Sequence, residues 1–125
     1  MDDTSRPYQL LFEERPGYLH VQVYLKTMTV EITREYLTEI AEKCTELNCK
    51  RLLFECDVPG IMPAGSVFEV TTHFLSLMSG RRVAIVDPRT GITEALEFGV
   101  LIANNRGALF QLFNNTADAE AWLLT

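Results

Sequence analysis

The chain has 125 residues, 47% hydrophobic and 22% charged, the balance of one soluble globular domain that buries about two-thirds of its unfolded surface. Seventeen acidic residues against eleven basic ones give a formal charge of -6, a surface that repels phosphate backbones and excludes nucleic acid as a partner. No apolar run approaches the roughly 20 residues that cross a bilayer, so no membrane span is expected.

Residues 1-7 are polar and acidic and read as a flexible tail, without the basic start and apolar centre of a secretory signal. Three cysteines (Cys44, Cys49 and Cys56) without Cys-x-x-Cys spacing read as reduced thiols, which places the protein in the cytoplasm. Tyr8 to Glu13 has an apolar centre and stops at Arg15-Pro16-Gly17, a turn signal. Tyr18 to Leu25 alternates, with Leu19, Val21, Val23 and Leu25 on one face and Tyr18, His20, Gln22 and Tyr24 on the other. Two such runs joined by a short turn predict an antiparallel hairpin.

Thr33 has the position of a helix N-cap, with Ile32 and Leu37 spaced as a hydrophobic staple around it. The helix that follows buries Tyr36, Ile40, Ala41, Cys44 and Leu47 and ends near Asn48, a residue that tolerates a left-handed backbone. Arg51 to Cys56 is a short apolar strand without alternation, the pattern of a strand covered on both faces. Asp57 to Gly65, with two prolines and two glycines, is the longest irregular stretch. Ser66-Val67-Phe68-Glu69 fits a capping box that opens a second helix running to about Ser79. That helix is apolar around most of its circumference, which implies burial against the sheet and against a second body.

Arg82 to Val86 is the next buried strand, Asp87 to Ile92 its outgoing loop, and Thr93 caps a third helix that runs to about Asn105. Ala108 to Phe113 is the last strand, and Asn115 or Thr116 caps a final helix that docks through Ala119, Trp122 and Leu123. The fold class is therefore α/β: a single domain, residues 1-125, with a mostly parallel sheet, an antiparallel N-terminal hairpin and four helices. Ligands of open α/β sheets gather beyond the carboxyl ends of the strands, which selects the loops at Asp57 to Gly65 and Asp87 to Ile92.

The order of elements and the ending Arg106-Gly107, Leu112-Phe113 and Ala119-x-x-Trp122-Leu123 resemble the SpoIIAA-like, or STAS-like, proteins from about Tyr8 onward. The resemblance implies a non-catalytic regulatory or binding domain. Members similar to anti-sigma-factor antagonists bind a partner kinase and are switched by phosphorylation of a serine that follows an aspartate at the start of the second helix. Here Pro63 and Ala64 stand at that pair, and Ser66 is the hydroxyl two places on. Related members bind small apolar molecules or nucleotides near the same loops.

Read as chemistry, Ser66 is a possible phosphosite as well as an N-cap, since the helix dipole favours added negative charge there. Histidine as a residue type serves acid–base chemistry near neutrality, but His20 and His73 each lie alone, and no Gly-x-Ser-x-Gly elbow supports a Ser66–His73–aspartate triad. Asp57 and Asp87 end neighbouring strands and could hold Mg²⁺ between them, although an aspartate at a strand end also opens a turn by bonding its own backbone. Arg89 and Thr90 lie beside a helix amino terminus, an anion site in waiting. Gly60, Gly65 and Gly91 lack the phosphate-loop pattern, and the aromatic set, including Phe68, Phe74, Phe98, Phe110 and Phe113, reads as core, with Ile61, Met62, Phe68 and Met78 as the alternative lining of a groove under the long loop.

The expectation is a regulatory protein with no catalytic residues, no metal and no cofactor, which binds a protein partner through the loop at Asp57 to Gly65 and the second helix. Its binding residues are Asp57, Gly60, Ile61, Met62, Ser66, Asp87, Arg89 and Thr90. The alternative is a binder of an apolar or nucleotide ligand held between the second and third helices. The first strand is expected at a sheet edge, where exposed backbone pairs between subunits, so a homodimer is also among the expectations.

Overall fold

The computed structural model describes residues 7–57, 63–87 and 93–125. Among them the elements follow the expected order: β1 Tyr8–Arg15, β2 Tyr18–Leu25, α1 Val30–Glu46, β3 Arg51–Asp57, α2 Ala64–Leu77, β4 Arg82–Val86, α3 Thr93–Asn105, β5 Leu109–Phe113 and α4 Thr116–Leu123. The strands form one sheet in sequence order, β1 antiparallel to β2 and the remaining neighbours parallel.

Proline and glycine set the hairpin. Arg15 pairs with Tyr18 across Pro16-Gly17, and Gly17 takes φ 89°, a value open to glycine and costly for a residue with a Cβ. A side chain at Gly17 would also come within 2.9 Å of Leu124 Cδ2, so the turn and the end of α4 lie against each other. With so tight a turn the ladder runs to its base, and β1 extends past Glu13 to Arg15.

Strands that follow sequence order, joined by right-handed crossovers, put their connecting helices on one face. Accordingly α1 packs beside α2, and α2 beside α3. Under them lie Leu19, Val21, Val23, Leu52, Phe54, Cys56, Val83 and Phe110, which meet Tyr36, Ile40, Cys44, Val70, Phe74 and Ala103 from the helices. A train of rings crosses this layer: Tyr8, Tyr36, Phe54, Phe74 and Phe110, with successive centroids 5.9, 6.1, 6.4 and 6.0 Å apart. Asn104 ties α3 to β5, its side-chain amide donating to Phe110 O at 2.9 Å and accepting from Phe110 N at 3.0 Å.

The opposite face belongs to α4, capped by Asn115 and laid over β3, β4 and β5. Leu53, Ala84 and Val86 pack there against Ala119 and Leu123. Phe113 meets Trp122 at 5.7 Å between centroids, and the Arg82 guanidinium lies 4.8 Å from the Trp122 ring. Tyr18, expected on the solvent side of β2, is buried against α4 instead, its hydroxyl donating to Glu120 Oε2 at 2.6 Å. The alternation of β2 was right about the face; a second helix covers that end of it.

Three helix starts differ from expectation: α3 includes Thr93, expected as its cap, as its first residue, and α1 and α2 begin earlier than their signals. α1 begins at Val30, and Thr29, in extended backbone, is its N-cap, its hydroxyl oxygen accepting from Ile32 N at 3.1 Å. Thr33 is buried inside the helix and donates to Thr29 O at 2.8 Å. α2 begins at Ala64 after Pro63, whose backbone at φ -59° and ψ 151° leads straight into the helix without a side-chain cap. Ser66 is therefore inside the first turn, and Glu69 reaches Arg34 of α1 at 3.3 Å in place of a capping box. The far end of α1 matches its signal, with Asn48 at φ 52° just past the C-cap Leu47.

Candidate functional site

Three of the residues expected to bind lie at the carboxyl edge of the sheet. Asp57 closes β3, Asp87 follows β4, and Ser66 lies half-buried in the first turn of α2. Gly60, Ile61, Met62, Arg89 and Thr90 lie outside the described residues. Asp87 is 2% exposed, and its N–H donates to Phe113 O at 3.1 Å, so its backbone continues the ladder between β4 and β5. Among the described residues no cluster of three His, Cys, Asp or Glu side chains is arranged to hold a metal.

A crevice at this edge would need a reversal of strand order, where successive crossovers diverge to opposite faces. The order β1-β2-β3-β4-β5 does not reverse among the described strands. The rule that selected these loops thus loses its usual geometric basis.

The histidines also resolve. His73 Nε2 lies 2.9 Å from Thr38 Oγ1, whose own proton goes to Arg34 O at 2.7 Å, so the imidazole nitrogen is the donor. With Arg34–Glu69 it fastens α2 to α1. Ser66 lies seven positions earlier on the same helix, about 10 Å along the axis, which separates the two members of the supposed triad. His20 sits on the α4 side of β2, its Nε2 2.9 Å from Glu55 Oε1 and its Nδ1 4.0 Å from Glu13 Oε1. The Cys44 thiol is pushed up to about 11, first by burial and then by Cys49, with Arg81 opposing, so it stays protonated and unreactive at neutral pH.

What the structure brings forward is the outer surface of α2 and α3. Gly99 of α3 lies so close to α2 that a Cβ there would be 3.2 Å from Thr71 Oγ1 and 3.6 Å from Val67 Cγ1. Gly99, Ile102 and Ala103 thus mark the packed side of α3. Phe98 and Leu101 fall outside that stripe, 38% and 56% exposed, and Phe68 on α2 is 44% exposed with the Arg106 guanidinium 5.2 Å from its ring. Phe68 and Phe98, read from sequence as core, stand at the surface. The usable signal was the pair of small residues Gly99 and Ala103, four apart, which fixes the inward stripe and leaves Phe98 and Leu101 off it.

At the other end of the strands a cavity of about 310 Å³ opens beside Tyr18, Asn48, Lys50 and Arg51. The space between α2 and α3 is closed at Gly99, so the interhelical ligand site expected from sequence is not open at that point. No helix among the described residues is long and apolar enough to cross a membrane. No protein-family model matches this chain, and no curated protein matches it either.

Proposed function

We propose that this chain is a non-enzymatic regulatory domain of the cytoplasm, SpoIIAA-like in kind, that acts by binding a protein partner. The contact surface is the outer face of α2 and α3 together with the chain that leads into α2. One observation carries the reading: Phe68, Phe98 and Leu101 hold large apolar side chains in water on two adjacent helices. Large apolar side chains exposed on neighbouring helices support a protein contact surface. The Arg106–Phe68 pair supplies a cation beside an aromatic face, a combination enriched in contact surfaces. Ser66 sits in the first turn of the same helix, where the dipole favours a phosphate and its charge would alter this surface.

The test is affinity capture from the host's lysate followed by native mass spectrometry, with Leu101→Asp and Phe98→Asp as matched controls. A protein bound in stoichiometric amount to the parent chain and lost from both folded variants supports the reading. Retention by both variants overturns it. A small adduct in place of a protein would favour ligand binding, for which the cavity beside Lys50 and Arg51 offers room at the low end of the usual range.

A further inference from the structure

We propose that the chain forms a homodimer in which β1 pairs antiparallel with β1 of a second copy, across a two-fold axis at Leu11. The two five-stranded sheets would become one. This surface is separate from α2 and α3 and does not depend on the function proposed above.

One hydrogen bond fixes which groups of β1 face outward. Lys26 N–H donates to Pro7 O at 3.0 Å, and these residues continue the register in which Tyr8 opposes Leu25. Bonded and non-bonded pairs alternate along an antiparallel ladder. Gln9, Leu11, Glu13 and Arg15 therefore bond to β2, while the N–H and C=O groups of Leu10, Phe12 and Glu14 point away from it, along the outer edge of the sheet.

Natural edges are blunted by proline, by lysine, by bulges or by shortness. β1 has eight residues, and its pairing with β2 is continuous from Tyr8 to Arg15, so no bulge bends it. It contains neither proline nor lysine, and its charges, Glu13, Glu14 and Arg15, gather at the turn end. The five-residue β5 at the opposite edge offers a shorter template.

Charge then selects the register. A two-fold axis normal to the sheet opposes positions on the same face. Placed at Leu11, it sets Leu10 against Phe12 and Gln9 against Glu13, and brings outward-pointing amides face to face. Placed at Phe12, it would set Leu10 against Glu14 and Leu11 against Glu13; at Glu13, two carboxylates would meet directly. At Leu10 the overlap shrinks to Tyr8 through Phe12. Leu11 is 45% exposed on the α4 side of the sheet, and at the axis it would be covered by its own copy.

The experiment uses the full chain in sedimentation-velocity and equilibrium runs over a wide concentration range. The parent chain should reach the mass of two copies, and Leu11→Lys, which opposes two ammonium groups at the axis, should weaken association about tenfold or more. Its circular dichroism should match the parent. Leu11 would oppose Leu11 as a non-bonded pair with Cα atoms about 4.5 Å apart, within disulfide reach. In a Cys49→Ser background, Leu11→Cys should therefore cross-link on mild oxidation, whereas Gln9→Cys, whose copies would lie about 14 Å apart, should not. A monomer at every concentration overturns the proposal. So does a dimer indifferent to Leu11→Lys, or cross-linking by Gln9→Cys as readily as by Leu11→Cys.

Discussion

Replacing Phe74 with alanine removes the ring that bridges α2 to the sheet between Phe54, 6.4 Å away, and Phe110, 6.0 Å away. Phe74 is 5% exposed. A buried aromatic side chain hides about 150–250 Å², worth roughly 4–6 kcal/mol at 25 cal/mol per Å², and each edge contact adds on the order of 0.5–1.5 kcal/mol. Alanine keeps part of that burial and the neighbours relax into the space, so the expected loss is about 4 kcal/mol. Phe98→Ala, on the outer face of α3, should cost less than about 1 kcal/mol, since alanine is also the better helix former. Urea unfolding followed by far-ultraviolet circular dichroism, with both variants fitted beside the parent, measures the difference. Losses within about 1 kcal/mol of each other would refute the packing described for the helix layer, because one ring would no longer be core and the other surface. The same pair should reverse in partner capture. Phe98→Ala should weaken it, and Phe74→Ala should spare it under conditions where that variant stays folded.

Thr29→Ala should cost about 1 kcal/mol in the same denaturant assay, and Thr29→Ser should recover most of it, since the hydroxyl oxygen is what accepts from Ile32 N; an unchanged midpoint for Thr29→Ala would move the helix start back towards Thr33. The Tyr18 phenol is pushed up to about 12, by burial first and then by the hydrogen bond and charge of Glu120. Folding therefore favours the protonated phenol: this contribution is complete below the ordinary pKa of 10.0 and is lost as pH climbs through the folded value near 12. Ultraviolet titration of tyrosinate should show a late-titrating residue that moves to lower pH in Glu120→Gln, and identical titrations would count against the Tyr18–Glu120 contact.

The strands were legible because their signals are local. Alternation over Tyr18 to Leu25 and the turn at Pro16-Gly17 depend on neighbours within a few residues, and both strand limits of β2 and β4 agree with the structure. Helix starts were less legible because several residues nearby can serve. Thr27, Thr29 and Thr33 all offer hydroxyls, and the choice of Thr29 is made by how Val30 and Ile32 pack against the core, which sequence spacing does not report. Phe68 and Phe98 misled for a related reason: hydrophobicity says that a ring prefers burial, while the helix stripe around Gly99 decides whether room exists for it.

The sheet order changes where a function can reside. In a doubly wound sheet, helices leave neighbouring strand ends towards opposite faces and open a crevice between them. Here α1, α2 and α3 cross on one face, side by side, and the described strands never part at such a point. The same arrangement leaves α2 and α3 with a continuous outer surface and leaves β1 as an edge that borders β2. Catalysis needs groups that converge on an enclosed volume; of those considered, His73 is engaged at a helix contact and Ser66 lies in the first turn of α2. A binding domain needs the opposite, side chains displayed outward on a rigid support. Phe68, Phe98 and Leu101 meet that requirement on helices anchored from beneath by Val70, Phe74 and Ala103, which is why the proposal rests on a surface and not on a cleft.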